Sequence, residues 1–183
     1  MRFALPAIRV ANASFRLWLA LFAVLSATLA RPLTLHGTVA AQDVGIAIGE
    51  KGPGGPLETL DGKTVDLASY LGKTPVVLEF WATWCGNCKQ LEPAMRAAAT
   101  KYVGKAQFIT VAVSINQSID RVKAWQKATP MPGIMLYDRK GAVSGAYDAP
   151  ATSYVVVLDK AGKVIYTGVG GTQNINDAVK KAL

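Results

Sequence analysis

Apolar residues follow two patterns along this chain, short continuous runs and helical spacings, and the two alternate. Val76–Trp81 is a six-residue run, β-branched in part and interrupted only by Glu79. Such a run reads as a strand buried on both faces. Phe108–Ile115, Ile134–Tyr137 and Tyr154–Leu158 have the same character. Tyr154–Leu158 and Val164–Thr167 flank the turn Asp159–Lys163 and pair as a hairpin. Asp61-Gly62, between Leu57–Leu60 and Thr64–Leu67, is a second hairpin signal. Helical stretches fill the intervals. One leads from Lys89 to about Tyr102, with Pro93 inside it expected to kink it. Ser118 is a natural cap for Ile119–Lys127, where Ile119, Val122 and Trp125 share a face. Asn174 caps Ile175–Lys181. Asp66 or Ser69 starts a short helical turn ending at Gly72. Val44, Ile46 and Ile48 alternate with small residues and suggest an edge strand. Ala142–Ala146 fits neither template.

The order is hairpin, β–α–β–α–β, hairpin, α. Strands separated by helices imply a parallel portion, and the closing hairpin adds antiparallel strands. The expected fold is α/β: one central mixed β-sheet flanked by helices, with an N-terminal β-hairpin extension. There is no internal repeat and no second domain, as the length of 183 residues allows.

Charge is uneven. Residues 1–41 hold Arg2, Arg9, Arg16 and Arg31 and no acid. The remainder carries 16 basic and 12 acidic residues, a mild excess without basic runs. Nucleic acid is therefore not an expected partner. The first arginines precede an uncharged run, Leu17–Ala30, too short for a membrane span of roughly 20 residues. It reads as a signal peptide over 1–41, cleaved near Ala41 or after Ala30, before a domain over 42–183. An uncleaved anchor is the other reading. Both put the domain outside the cytoplasmic membrane, periplasmic or extracytoplasmic.

The two cysteines, Cys85 and Cys88, sit three apart where the first buried strand gives way to a helix. That spacing puts them one turn from each other, within reach of a disulfide. The unpaired N–H groups of the first turn and the helix dipole favour a Cys85 thiolate, the dipole by about 0.3–1 kcal/mol. Lowering a cysteine from about 8.5 to about 7 takes roughly 2 kcal/mol, so further N–H donors are needed. Cys85 is the expected exposed nucleophile and Cys88 the resolving thiol. A purely structural disulfide would restrict so short a loop little. A zinc site needs four ligands, and the single histidine, His36, lies outside 42–183.

Val76-Val77-Leu78-Glu79-Phe80-Trp81-Ala82-Thr83-Trp84-Cys85-Gly86-Asn87-Cys88, with Pro93 five residues on, resembles the active-site segment of the thioredoxin superfamily. Leu57–Lys63, Val65-Asp66-Leu67 and Gly72-Lys73 resemble the lead-in of its exported TlpA/ResA/DsbE-type branch, and Asp159–Ile165 its closing hairpin. The resemblance covers roughly 57–183. It implies a thioredoxin fold and a thiol–disulfide oxidoreductase. It maps Pro150 onto the family's cis-proline, opposite the dithiol, with Ala149 offering backbone to an extended substrate. Trp84 and Gly86, around the thiols, complete the expected substrate-binding positions. Glu79 falls where thioredoxins place a buried carboxylate. Buried without a cation, it should have a raised pKa and act as proton acceptor for Cys88. The chain departs from relatives with Gly-x-Pro-Thr-Thr around that proline, having Asp148-Ala149-Pro150-Ala151-Thr152. It also has Leu91 where some reductants carry an acid, with Glu92 one further.

The expected activity is reduction of disulfides in extracytoplasmic proteins, fed by a membrane-linked thiol electron donor, by a monomer without cofactor or metal. The uncharged Gly86-Asn87 pair leans toward a reductant. A thiol oxidant of the same fold and a copper-binding assembly factor are the alternatives. The latter would need more soft ligands than two thiols.

Overall fold

The computed structural model describes residues 45–183. The expected signal segment and its cleavage points, Ala30 and Ala41, lie outside the described residues. Seven strands form one sheet: β1 (Pro56–Thr59), β2 (Thr64–Asp66), β3 (Val76–Trp81), β4 (Gln107–Val113), β5 (Ile134–Asp138), β6 (Tyr154–Leu158) and β7 (Val164–Val169). Four α-helices accompany them: α1 (Gly86–Lys101), α2 (Ile119–Ala128), α3 (Ala142–Ala146) and α4 (Ile175–Ala182). The sheet order is β2-β1-β5-β4-β3-β6-β7. β3, β4 and β5 are parallel, and β1, β6 and their outer neighbours pair antiparallel. This is the mixed sheet of a thioredoxin fold, with the β1–β2 hairpin extending it at one edge.

β3 lies inside the sheet between β4 and β6 and is buried throughout. Its period-2 alternation sends Leu78 and Phe80 to one face, with Ile109, Val111, Val156, Val122 and Tyr147. Val77 goes to the other face, under Leu91, Met95 and Ala98 of α1 and Ile175, Ala178 and Val179 of α4. Both faces are covered, which is why the central strands carry no polar alternation. Trp81 is core and packs on Trp125 of α2 with ring centroids 4.5 Å apart.

Several boundaries differ from expectation. No strand forms over residues 45–48: Gly45 and Gly49 have φ of +87° and +91°, and the segment turns. Ile46 is buried there, its N–H donating to the Tyr147 carbonyl and near the Tyr154 hydroxyl, at 3.0 and 3.1 Å. A Cβ on Gly45 would fall 2.1 Å from the Tyr154 hydroxyl, so only glycine fits that turn. β4 stops at Val113, two residues early, because Ser114–Gln117 forms a turn with Asn116 at φ +53°. Leu67 leaves the hairpin and begins a 3₁₀ turn to Tyr70, capped by Asp66, which accepts from the N–H groups of Ala68 and Gly55. Ala142–Ala146 is helical, steadied by Asp138, whose carboxylate accepts from the Ser144 N–H and hydroxyl. α1 continues through Pro93 to Lys101.

Candidate active site

Cys85 and Cys88 are joined in a disulfide, their Cα atoms 5.3 Å apart. Cys85 is the N-cap of α1, in extended backbone conformation, and its sulfur accepts the Cys88 N–H at 3.0 Å. The first-turn N–H that would otherwise be unpaired thus points at sulfur. Both cysteines are enclosed in this oxidised state, Cys85 at 4% exposure and Cys88 at 0%. The expected openness of Cys85 is therefore confined to its surroundings: Trp84, Gly86 and Asn87 are exposed.

The turn that presents Cys85 is fastened from the β4–α2 loop. The Thr83 N–H donates to the Gln117 side-chain oxygen at 2.8 Å, and the Gln117 amide donates to the Val113 carbonyl. The Tyr137 hydroxyl donates to the Gln117 carbonyl at 2.9 Å. The Trp84 indole N–H donates to the Ile115 carbonyl at 2.8 Å, leaving both side chains exposed beside the dithiol. Sequence reasoning missed Gln117. A single glutamine in a polar loop carries no local signal, since the Thr83 N–H it holds is 34 residues away.

Glu79 is fully buried, and neither carboxylate oxygen has a hydrogen-bond partner among the described residues. Alternation places it on the face of Val77, with Thr110 of β4 and Val155 of β6 in register beside it, beneath α1. Its pKa is raised to about 8, first by burial and second by the negative charge of Glu92. The burial and the raised pKa agree with the sequence reading.

The β6 entry does not agree. No cis peptide bond occurs among the described residues, so the Ala149–Pro150 bond is trans. Residues 147–149 wind on as the closing turn of α3: the N–H groups of Tyr147, Asp148 and Ala149 donate to the carbonyls of Val143, Gly145 and Ser144. Ala149 therefore does not offer its N–H to a substrate, and Pro150 is exposed four residues before the strand entry at Tyr154. Ser153 occupies the position beside the end of β3. It is buried, at φ +66°, with its N–H donating to the Phe80 carbonyl at 2.7 Å and its hydroxyl to the Gly170 carbonyl at 3.0 Å. Its carbonyl accepts from the Gly170 N–H and the Gln173 amide. A proline is conspicuous in a sequence and a backbone contact is not, which is why Pro150 drew the assignment.

A groove of about 510 Å³ lies at the other end of the parallel strands, lined by Ala99, Val103, Phe108, Gly133 and Ile134. Among the described residues, no helix is long and apolar enough to cross a membrane.

A cysteine pair capping the helix that follows a central parallel strand of this fold defines a class: thioredoxin-like thiol–disulfide oxidoreductases. Comparison with known proteins narrows it. The chain belongs to the Redoxin family, whose pattern matches residues 47–183. It is 32% identical over 137 residues to thioredoxin-like protein YneN of Bacillus subtilis, covering 74% of this chain and 79% of that protein. It is 30% identical over 137 residues to the thiol-disulfide oxidoreductase ResA of the same organism, covering 75% of each. Among solved structures it resembles a DsbE-type thiol:disulfide interchange protein of Chlorobium tepidum. The TM-score is 0.65 and the identity 26%, over 75% of this chain and 95% of that one. The chain is accordingly a thioredoxin-like redox enzyme.

Proposed function

We propose that this enzyme is an exported reductase of protein disulfides, with residues 42–183 as the working domain and 1–41 as its signal. In the reduced form, the Cys85 thiolate attacks one sulfur of a substrate disulfide. A mixed disulfide forms and the other substrate sulfur leaves as a thiolate. Cys88 gives its proton to Glu79 and attacks the Cys85 sulfur. The Cys85–Cys88 bond forms and the second substrate sulfur departs. Two electrons pass to the substrate, and a thiol donor at the membrane restores the dithiol. On that return leg Cys88 is the leaving thiolate, and the proton that Glu79 took up returns to it.

The observation that carries the roles is the asymmetry of the pair: Cys85 has exposed neighbours in Trp84 and Gly86, whereas Cys88 is fully buried, and the strand leading to the pair holds a buried, unpartnered carboxyl in Glu79. Trp84 and Gly86 are the substrate-facing positions. The reducing direction is supported by the uncharged Gly86-Asn87 pair and by the acid beneath, neither of which stabilises a thiolate. One observation favours an oxidant instead, the N–H that Cys88 aims at the Cys85 sulfur. Such a bond to a thiolate, with the helix dipole, is worth about 2–4 kcal/mol, enough to bring Cys85 to about 7 but short of the roughly 7 kcal/mol that the oxidant's value of about 3.5 would take. No observation favours copper binding.

Expression of Cys88→Ser in an exporting cell tests both parts. Adducts at Cys85 that dithiothreitol releases are expected, with none from Cys85→Ser. Sequencing of the exported protein should begin at Arg31 or Gln42. An N-terminus before Arg31 contradicts the cleavage, and a lack of adducts contradicts the cycle.

A further inference from the structure

Cys85 follows a peptide plane that the β4–α2 loop holds from outside. The Ala82–Thr83 peptide has two polar ends. Its N–H, on Thr83, donates to the Gln117 side-chain oxygen at 2.8 Å. Its carbonyl, on Ala82, accepts the Cys85 N–H at 3.1 Å. The unit is planar, so a grip on one end orients the other. The Cys85 sulfur in turn accepts the Cys88 N–H at 3.0 Å, as the cap of α1. Gln117 is itself held at two further points. Its amide donates to the Val113 carbonyl, and its own carbonyl accepts the Tyr137 hydroxyl at 2.9 Å. Thr83, Gln117 and Tyr137 are all buried, so water competes little for these bonds. The grip on the peptide involves no sulfur, and it is available to the reduced form as well.

Ionisable groups around Cys85 are few. The first two turns of α1 bring Cys88, Lys89 and Glu92, and β3 brings the buried Glu79. The neighbouring loops, residues 114–118, 149–153 and 169–174, hold none. Lys89 is exposed, where solvent and salt screen its charge. A Cys85 thiolate therefore depends on backbone N–H donors, and such bonds weaken steeply with misalignment. We propose that Gln117, braced by Tyr137, sets the acidity of Cys85: it fixes the Ala82–Thr83 peptide and so the aim of the Cys88 N–H at the sulfur. The proposal rests on the reading of Cys85 as the nucleophile. A glutamine suits the task because its amide carries an acceptor and a donor on one planar end, and the bonds to Thr83 and Val113 use both. Gln117 and Tyr137 act through the peptide and touch no sulfur, so both are positioning residues.

The test uses the full-length Cys88→Ser protein as parent, in which Cys85 is the one thiol and residue 88 keeps its N–H. Alkylation by iodoacetamide is followed against pH, with a thermal melt of each variant. Gln117→Met keeps the side-chain length and removes both amide bonds. It should raise the pH midpoint of alkylation, with about fivefold less thiolate below the midpoint, the loss expected when a hydrogen bond to a charged group is weakened by about half. Tyr137→Phe removes only the brace and should act in the same direction, by about twofold. Ser153→Ala loosens the adjoining segment without touching the peptide. It should lower the melting temperature and leave the midpoint where it is. If Gln117→Met melts lower but keeps the midpoint, Gln117 serves the fold alone and the proposal is overturned. An equal shift from Ser153→Ala also overturns it, because any loosening would then do the same. If Gln117→Met does not fold, Tyr137→Phe decides: a raised midpoint supports the positioning role and an unmoved one contradicts it. If Cys85 of the folded parent is not alkylated at any pH, the nucleophile reading itself fails, and the proposal with it.

Discussion

Two segments meet at the end of β3, and they are held by opposite means. The first, Trp81–Cys88, is fastened by side chains: the Cys85 sulfur caps α1, Gln117 grips Thr83, and the Trp84 indole reaches Ile115. The second, Tyr147–Ser153, is fastened mainly by backbone: N–H groups and carbonyls of residues 147–149 and 153 pair with α3, β3 and Gly170. A substitution can therefore unfasten the first segment at one atom. The second should tolerate most side-chain changes and yield only to changes in backbone geometry. The chemistry sits on the segment whose geometry is most open to tuning by sequence.

The comparison breaks most plainly at the sulfurs. Cys85→Ser should abolish insulin-disulfide reduction, since the one thiol left, Cys88, is fully buried. Residual turnover would place the chemistry elsewhere. The next effect concerns the strand both segments share. Glu79 has a folded pKa of about 8, above its ordinary value of 4.5. A raised carboxyl favours folding fully below the unfolded pKa, and that contribution is lost as pH rises from about 4.5 to about 8. Glu79→Leu removes this loss. Its stability relative to the wild type should therefore grow by about 3 kcal/mol between pH 4 and pH 7, at about 1.36 kcal/mol per pH unit. Urea titrations at several pH values check this, and a flat difference would contradict the buried, unpartnered state. Gln117→Ala should destabilise by about 2 kcal/mol, because it strands the buried Thr83 N–H. It should also slow disulfide opening, a rate effect that Ser153→Ala should lack. Ser153→Ala should cost only about 1 kcal/mol, the hydroxyl bond to Gly170. A larger loss from Ser153→Ala than from Gln117→Ala would reverse the comparison.

Legibility in the sequence follows the same division. The strand runs, the helix caps at Ser118 and Asn174, and the dithiol at a strand–helix junction rest on residues close in the chain, and each is where the pattern put it. Glu79 was legible because a charge in a six-residue apolar run has few innocent explanations. The trans bond at Pro150, the place of Ser153 and the grip of Gln117 were not legible. The last two depend on groups that meet across 17 to 73 residues, as Ser153 meets Gly170 and Phe80 and Gln117 meets Thr83, and the first on how the chain leaves α3. The turn at Gly45–Gly49 failed for another reason. Alternating Ile and Gly reads as a strand, but positive φ at two glycines overrides the pattern.

The central claim is that the Cys85–Cys88 pair cycles as a reductant. Its reduction potential, measured by equilibrating the full chain with dithiothreitol or glutathione redox buffers, tests this most directly. A value near about −270 mV, the thioredoxin end of the range, is what this account predicts. A value near about −120 mV would make the protein an oxidant and contradict it.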